Sequence, residues 1–330
     1  MLQNVLVTGG AGYVGCVLVP KLLQHDYHVT VLDLYMFGDD VLDGVKENPN
    51  LRQIKDDMRD AAVVQDAVNN VDAVIHLASI SNDPCSDLNP DLTKSVNLDA
   101  VQSLISAAKA SGVQRFINAS SSSVYGVREE PNVTEDMSLD PITLYARYKA
   151  ETEQMLLDAC DDQFSGISIR PATVCGYSPR LRLDLTVNIL TNLAINNNEI
   201  TVFGGEQKRP NLHIEDMTDL YCKLLELPAE QINRKVYNAG YENHKVKQLA
   251  EIVKGIIGDQ VNIVTTPTED NRSYHVSSEK IAKELGFVPQ HTIDDAVRDL
   301  KNAFDAGKIP DSLTDIKYSN IKTMQAMQLK

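Results

Sequence analysis

The feature that most restricts how this chain can fold is a strand that runs directly into a glycine-rich turn and then into a helix. Val5-Leu6-Val7-Thr8 is a short apolar run, Gly9-Gly10-Ala11-Gly12-Tyr13-Val14-Gly15 follows without interruption, and residues 14–24 read as a helix. Gly9 permits a tight turn, Gly12 lets the backbone approach a pyrophosphate, and Gly15 lets the helix pack closely on the strand. The helix N-terminus, where Tyr13 and Val14 stand, supplies N–H donors to an anion. A glycine triplet alone is weak evidence, but here strand, turn and helix come in the required order.

A second apolar run, residues 29–32, ends in Asp33, about twenty residues beyond the glycines, where a carboxylate accepts hydrogen bonds from adenosine ribose hydroxyls. The same carboxylate repels a 2′-phosphate, so the spacing predicts NAD rather than NADP. A tight turn followed by an unrelated loop aspartate is the plain alternative, and the agreement of order and spacing weighs against it.

Strand-like and helical stretches continue to alternate: 73–77, 98–110, 115–119, 145–160 and 166–170. That alternation predicts an α/β fold of the Rossmann type, a doubly wound parallel sheet of six or seven strands. After Pro171 the texture changes to Arg- and Asn-rich segments, with short strands at 200–203 and 235–238 and helices near 214–225 and 246–257. Residues 1–170 are therefore expected to form the NAD-binding domain. Residues 171–330 are expected to form mainly a smaller, interleaved substrate region, with some segments returning to the first core. The polar stretch 307–330 reads equally well as a docked extension or a mobile tail.

Bulk properties narrow the partners. With 330 residues, 43% hydrophobic and 23% charged, the chain has the makeup of a globular protein. A net charge of −15 disfavours nucleic acid and anionic membrane, and any anionic ligand then needs locally placed arginines. Cys16, Cys85, Cys160, Cys175 and Cys222 lack CxxC spacing, so isolated buried thiols are expected and no metal site is indicated. Met1 leads into an apolar strand without a basic leader, and no apolar run approaches the roughly 18 residues of a membrane span. A cytoplasmic setting is the expectation.

Tyr-x-x-x-Lys puts a phenol and an ammonium on one face of a helix. The pattern occurs as Tyr145 with Lys149, Tyr241 with Lys245, and Tyr318 with Lys322. Tyr241 follows the turn signal Asn238-Ala239-Gly240 and Tyr318 lies in the polar tail, so both are expected to be surface pairs. Tyr145 follows the strand 116–119 and the serines 120–123, at the sheet edge where nucleotides bind. A phenol with a pKa of about 10 becomes a base at neutral pH only if about 4 kcal/mol of differential stabilisation is supplied. Lys149 and a positive nicotinamide ring can supply it.

These residues resemble the extended short-chain dehydrogenase/reductase family, in particular its nucleotide-sugar epimerases and dehydratases, and the likeness runs over nearly the whole chain. The resemblance implies Ser121 as the catalytic Ser/Thr beside Tyr145 and Lys149, hydrogen-bonded to the reacting sugar oxygen. It also implies Asp57 and Met58 near the adenine, Leu77 and Ala78 along the dinucleotide, Asn97 as a buried organiser, and Lys149 on the nicotinamide ribose. Core packing is the alternative for Leu77 and Ala78. For the substrate it implies a nucleotide diphosphate, GDP- or UDP-linked, held by Ser122, Thr173, Arg180, Arg182, Asn188, Arg209 and Arg272. Guanidinium forks suit phosphate oxygens, although Arg180 and Arg182 could be surface charges. His213 and Asp216 resemble a structural His-x-x-Asp segment in which Asp216 caps a helix start. A homodimer through the helices at 98–110 and 145–160 is implied as well.

Dehydratases of the family carry an Asp-Glu pair directly after the catalytic Thr, and this chain has Ser122 and Ser123 there. That departure leaves oxidation at the sugar C4, completed as epimerisation or released as a net dehydrogenation. The run Ser178-Pro179-Arg180-Leu181-Arg182-Leu183-Asp184-Leu185-Thr186-Val187-Asn188 is similar to a subgroup that includes GDP-heptose 4-dehydrogenases of capsule synthesis. Epimerisation ranks slightly first, since NAD regenerated in each cycle needs no external oxidant. A non-catalytic NAD-binding regulatory protein on the same fold is the reading from a different class, and retention of Ser121, Tyr145 and Lys149 counts against it.

Overall fold

The computed structural model describes residues 2–128, 130, 132–268 and 275–327. Its main sheet holds β1 (Asn4–Thr8), β2 (His28–Asp33), β3 (Leu51–Lys55), β4 (Ala73–His76), β5 (Arg115–Ala119), β6 (Ser165–Pro171) and β10 (Lys235–Ala239). They lie in the order β10-β6-β5-β4-β1-β2-β3, all parallel. The helices between them are α1 (Gly15–Gln24), α2 (Ala61–Ala67), α3 (Asp83–Leu88), α4 (Pro90–Lys94), α5 (Ala100–Ala110) and α6 (Leu144–Ala159). A π-helical turn, Ser95–Asp99, joins α4 to α5.

Central strands of a parallel sheet are covered on both faces, which is why β1 reads as an unbroken apolar run. Val5 and Val7 pack on one side with Leu18 and Leu22 of α1, and Leu6 packs on the other with Leu104 of α5 and Leu156 of α6. β3 carries no such signature. Its Arg52, Gln53 and Lys55 are exposed because it is an edge strand, and nothing in its composition marked it in advance.

The smaller region contains β7 (Thr173–Cys175), β9 (Lys208–His213) and β11 (Glu242–Lys245) in one sheet, and β8 (Glu199–Phe203) with β12 (Asn262–Thr266) in another. Its helices are α7 (Thr186–Asn197), α8 (Ile214–Glu226), α9 (Ala229–Ile232), α10 (Val246–Ile257), α11 (Glu279–Leu285), α12 (Ile293–Asp305) and α13 (Asn320–Met327). α7, α10 and α12 share a core through Leu190, Leu249 and Val297. The two regions interleave, since β10 completes the main sheet and α8 packs on α1, where Lys21 pairs with Glu215 and Asp219 at 2.8 and 2.5 Å.

The segment that runs from Tyr318 to Met324 is docked. Tyr318, expected at the surface, is only 6% exposed and donates to the Pro310 carbonyl at 3.0 Å, because its ring fills a cluster with Tyr13, Leu181 and Leu300. Lys322 lies on α13 while Tyr318 ends a separate short turn, so the two do not share a helix. Tyr241 is 44% exposed and precedes the strand β11. All five cysteines are buried free thiols. Among the described residues no helix is long and apolar enough to cross a membrane.

Candidate active site

Strand order reverses between β1 and β4, and loops leaving the C-terminal ends of those two strands diverge and open a crevice. Gly9 follows β1 with φ +75°, and a Cβ there would lie 2.5 Å from the Ala78 nitrogen, so the turn after β1 and the turn after β4 fit together only without a side chain. Gly15 is equally constrained, but by its own loop: a Cβ would sit 2.4 Å from the Gly10 carbonyl oxygen. Gly12, Tyr13 and Val14 line the crevice at the start of α1, whose first turn has neither a side-chain cap nor an acidic residue.

Asp33 ends β2 beside this loop. Its carboxylate accepts from the Ala11 N–H at 3.0 Å and the Tyr35 N–H at 2.8 Å, and burial raises its pKa. Asp57 and Met58, after β3, line the same cleft, with Asp57 held by the Arg59 guanidinium, which lowers its pKa. Leu77 and Ala78 form the opposite lip. Asn97 is 4% exposed on the π-helical turn and clamps Ile80, accepting from its N–H at 2.8 Å and donating to its carbonyl at 2.9 Å. It fixes the loop after β4 from behind.

The serines follow β5. The Ser121 oxygen accepts from the Ser123 N–H at 3.1 Å and from the Ser123 hydroxyl at 2.8 Å. With those acceptor positions taken, the Ser121 proton is left to be donated into the cleft. Tyr145 stands on the first turn of α6, which Thr143 caps through the Ala146 N–H at 3.2 Å. One turn on, Lys149 is 6% exposed, lies 5.8 Å from the centre of the Tyr145 ring, and donates to the Ala119 carbonyl at 2.7 Å. Burial pushes the Lys149 ammonium down to about 8. Ser121, Tyr145 and Lys149 all line the cleft that begins at Gly9.

The model of the NAD dependent epimerase/dehydratase family matches residues 5–240. The chain belongs to that family. It is 27% identical to a UDP-glucose 4-epimerase of Corynebacterium glutamicum, over 88% of this chain and 92% of that protein. It is 29% identical to a dTDP-glucose 4,6-dehydratase of Streptomyces griseus, over 90% and 92%. Among solved structures it resembles the UDP-glucose 4-epimerase of Thermotoga maritima with a TM-score of 0.83 at 24% identity, covering 92% of this chain and 99% of that one, which is a likeness of fold.

NAD is the cofactor of the family, and the residues present fit it. The crowded Gly9 turn, the uncapped start of α1, the Asp33 carboxylate at the end of β2 and the buried Ser120 hydroxyl, which has no protein partner, all lie along one cleft.

A second cavity, lined by Ile189, Phe203, Gln207 and Arg209, meets the cofactor cleft at Asp83, Ser123 and Thr173. The residues expected to hold the substrate divide between the two. Thr173 borders both, Ser122 lines the cofactor cleft, and Arg209 lines the second cavity. Asn188 borders neither. Its buried amide accepts from the Gly176 N–H at 3.0 Å and donates to the Tyr13 hydroxyl at 3.1 Å and the Arg182 carbonyl at 2.9 Å, so it is spent on bracing the glycine loop. Arg180 is 3% exposed and not a surface charge, and with Arg182 it lines the cofactor cleft instead of standing beside Arg209. Arg272 lies outside the described residues.

Asp216 does not cap its own helix. His213 does, accepting from the Glu215 N–H at 3.2 Å, while the Asp216 carboxylate accepts from the Gln290 and His291 N–H groups at 2.8 and 2.9 Å. Being the third residue of α8 points it toward the neighbouring segment. Sequence reasoning missed Asn320 of α13, which lines the cofactor cleft about 170 residues beyond Lys149, and nothing in its neighbourhood in sequence signals that.

Lys149 yields a prediction on stability. Its ammonium is held below its ordinary value near 10.5, so the folded chain binds that proton less tightly than the unfolded chain does. The cost is full below about pH 8 and fades as pH rises toward 10.5. Lys149→Met is expected to stabilise the ligand-free protein by about 2 kcal/mol at pH 7 while abolishing turnover, with the gap closing as pH rises. Urea unfolding of both proteins at pH 7 and pH 10 checks this, and a less stable variant at pH 7 contradicts it.

Proposed function

We propose that this enzyme oxidises the C4 hydroxyl of a nucleotide-diphosphate sugar with NAD, and that the net reaction is 4-epimerisation. The observation carrying this reading is the convergence of Ser121, Tyr145 and Lys149 beside the junction of the cofactor cleft and the Arg209 cavity. Tyr145 takes the C4 hydroxyl proton, Ser121 donates a hydrogen bond to that oxygen, and charged Lys149 favours the phenolate. NAD, held along the cleft from Gly9 to Lys149, would supply the reversible hydride acceptor that oxidation at C4 requires. The proton held on Tyr145 then returns to the oxygen, and the cycle balances without an outside oxidant. Arg209 holds the substrate diphosphate, and Ser122 and Thr173 border the sugar.

The residues directly after Ser121 disfavour dehydration. Ser122 and Ser123 stand there, and among the described residues the carboxylates lining the cleft are Asp33, Asp56, Asp57 and Asp83. Asp33 ends β2, Asp56 and Asp57 follow β3, and Asp83 already accepts from the Thr143 hydroxyl at 2.6 Å. A GDP-linked 4-dehydrogenase is the second reading, supported by the similarity of the 178–188 run to that subgroup.

The test is incubation of the purified protein with UDP-, GDP-, dTDP- and CDP-sugars in deuterated water, following NADH absorbance and product NMR. The expected result is an inverted C4 without accumulating NADH. Accumulated NADH assigns the dehydrogenase, and deuterium in a deoxy product assigns the dehydratase. No change in any sugar rejects the reading.

A further inference from the structure

Two arginines in the cofactor cleft have more hydrogen-bonding capacity than the protein uses. Arg180 is 3% exposed, and its Nε and one terminal nitrogen have no protein partner. Its other terminal nitrogen donates to the Asn320 side-chain oxygen, and the guanidinium stacks 3.6 Å over the Phe37 ring. Arg182 bonds Asp184 at 2.9 Å and Ser81 at 3.4 Å, and one of its terminal nitrogens is also buried without a partner. A buried cation left this way is costly unless an anion completes it. Burial, with Arg182 alongside, pushes Arg180 down to about 9.

Both side chains are fixed from two directions. The Ser178 hydroxyl donates to the Tyr13 carbonyl at 2.7 Å and the Tyr13 hydroxyl to the Gly176 carbonyl at 2.7 Å, which ties the 176–184 loop to the glycine loop. From the other direction, the docked end of the chain holds the loop. The Leu183 N–H donates to the Tyr318 carbonyl at 2.9 Å, the Asn320 N–H to Asp184 at 3.0 Å, and the Asn320 side chain to Ser81 at 2.7 Å. Met324 anchors α13 on Ile80 and Cys85.

We propose that Arg180 and Arg182, braced by Asn320 of the docked C-terminal segment, take the pyrophosphate of NAD and enclose the cofactor so that it stays bound between turnovers. The ligand is the cofactor and not the sugar nucleotide, because both arginines line the cleft that holds the glycine loop and neither lines the cavity of Arg209. Arg180 also feels the charge of Asp33, which marks the adenosine ribose end. Two guanidinium groups match the two negative charges of a pyrophosphate and answer the demand for local positive charge that a chain of net charge −15 makes. The inference rests on the cofactor assignment of the cleft and not on the reaction proposed above.

The test measures retention of NAD in the absence of any sugar. Full-length wild type, Arg180→Gln, Arg182→Gln and Asn320→Ala are loaded with NAD, freed of excess by repeated desalting, and assayed over time for NAD released by denaturation. Wild type is expected to retain its NAD, and each variant to lose it at least about tenfold faster, the scale of one charge-assisted hydrogen bond. Asn320→Ala removes no charge and keeps the test decisive if an arginine variant does not fold, as judged by circular dichroism. Binding of UDP and of GDP to the NAD-saturated proteins is measured in parallel. Equal NAD loss from folded variants and wild type overturns the proposal, as does wild type that gives up its NAD in one desalting step. So does a weakened nucleotide affinity with NAD retention unchanged, which returns the arginines to the substrate.

Discussion

Tyr145→Phe lowers turnover by about 10²- to 10⁴-fold and leaves NAD bound, with a melting temperature close to that of wild type. The size is that of losing a general base, the role proposed for Tyr145. Two features of the fold favour the phenolate. Tyr145 lies on the first turn of α6, where the helix dipole favours negative charge by about 0.3–1 kcal/mol. Lys149, one turn on, is still mostly charged at pH 7 because burial brings it only to about 8. The remaining hydrogen-bond donor, Ser121, is untouched by the change, so binding of sugar nucleotide persists. Single-turnover reduction of bound NAD by the sugar substrate measures the effect directly, and a rate within threefold or so of wild type, on the usual scale for general-base loss, rejects Tyr145 as the base.

Glu153→Ala destabilises the protein by about 3–5 kcal/mol, the scale of breaking a buried ion pair by removing one partner. Glu153 lies one turn beyond Lys149 on α6, and Arg170 is the last residue but one of β6; their side chains are 4% and 5% exposed. The guanidinium donates from Nε to Glu153 at 3.1 Å and makes a second bond to its other oxygen. It also donates to the Tyr125 hydroxyl at 2.7 Å, which in turn donates to Asn238 of β10 at 2.7 Å. Truncating Glu153 leaves a buried guanidinium without its countercharge and unties the catalytic helix from two strands. Urea unfolding reads the loss, and Glu153→Gln, which keeps an acceptor oxygen, is expected to lose less. A cost for Glu153→Ala below about 1 kcal/mol, that of an exposed pair, contradicts this account of how α6 is held.

These two sites differ in how far they could be read in advance. Tyr145 and Lys149 stood out because four residues on a helix is a local distance, and the strand and serines before them place that helix on the nucleotide edge of the sheet. Glu153 with Arg170 did not, since no spacing links a mid-helix carboxylate to a strand end. The same contrast runs through the fold. β1, β2 and β4 announce themselves by burial on both faces, whereas the edge strand β3 alternates polar and apolar residues too weakly to register. The sequence puts Asp216 at the right helix but not its partners, because a carboxylate at a helix start caps its own N–H groups only if no better donors face it. Gln290 and His291 do.

The sequence by itself determined the doubly wound sheet, the glycine turn, Asp33, and the order Ser121, Tyr145, Lys149, because each depends on residues close together along the chain. Only the tertiary structure decided which arginines line which cavity. The family resemblance makes Arg180 and Arg182 a substrate clamp, with surface charges as the alternative, yet both line the cofactor cleft, on a loop tied to the glycine loop by Ser178 and Tyr13, and Arg180 is buried there and bonded to Asn320. Those contacts join positions more than a hundred residues apart, and what fixes them is the docking of a C-terminal segment whose polar composition gave no sign that Tyr318 and Met324 would be buried.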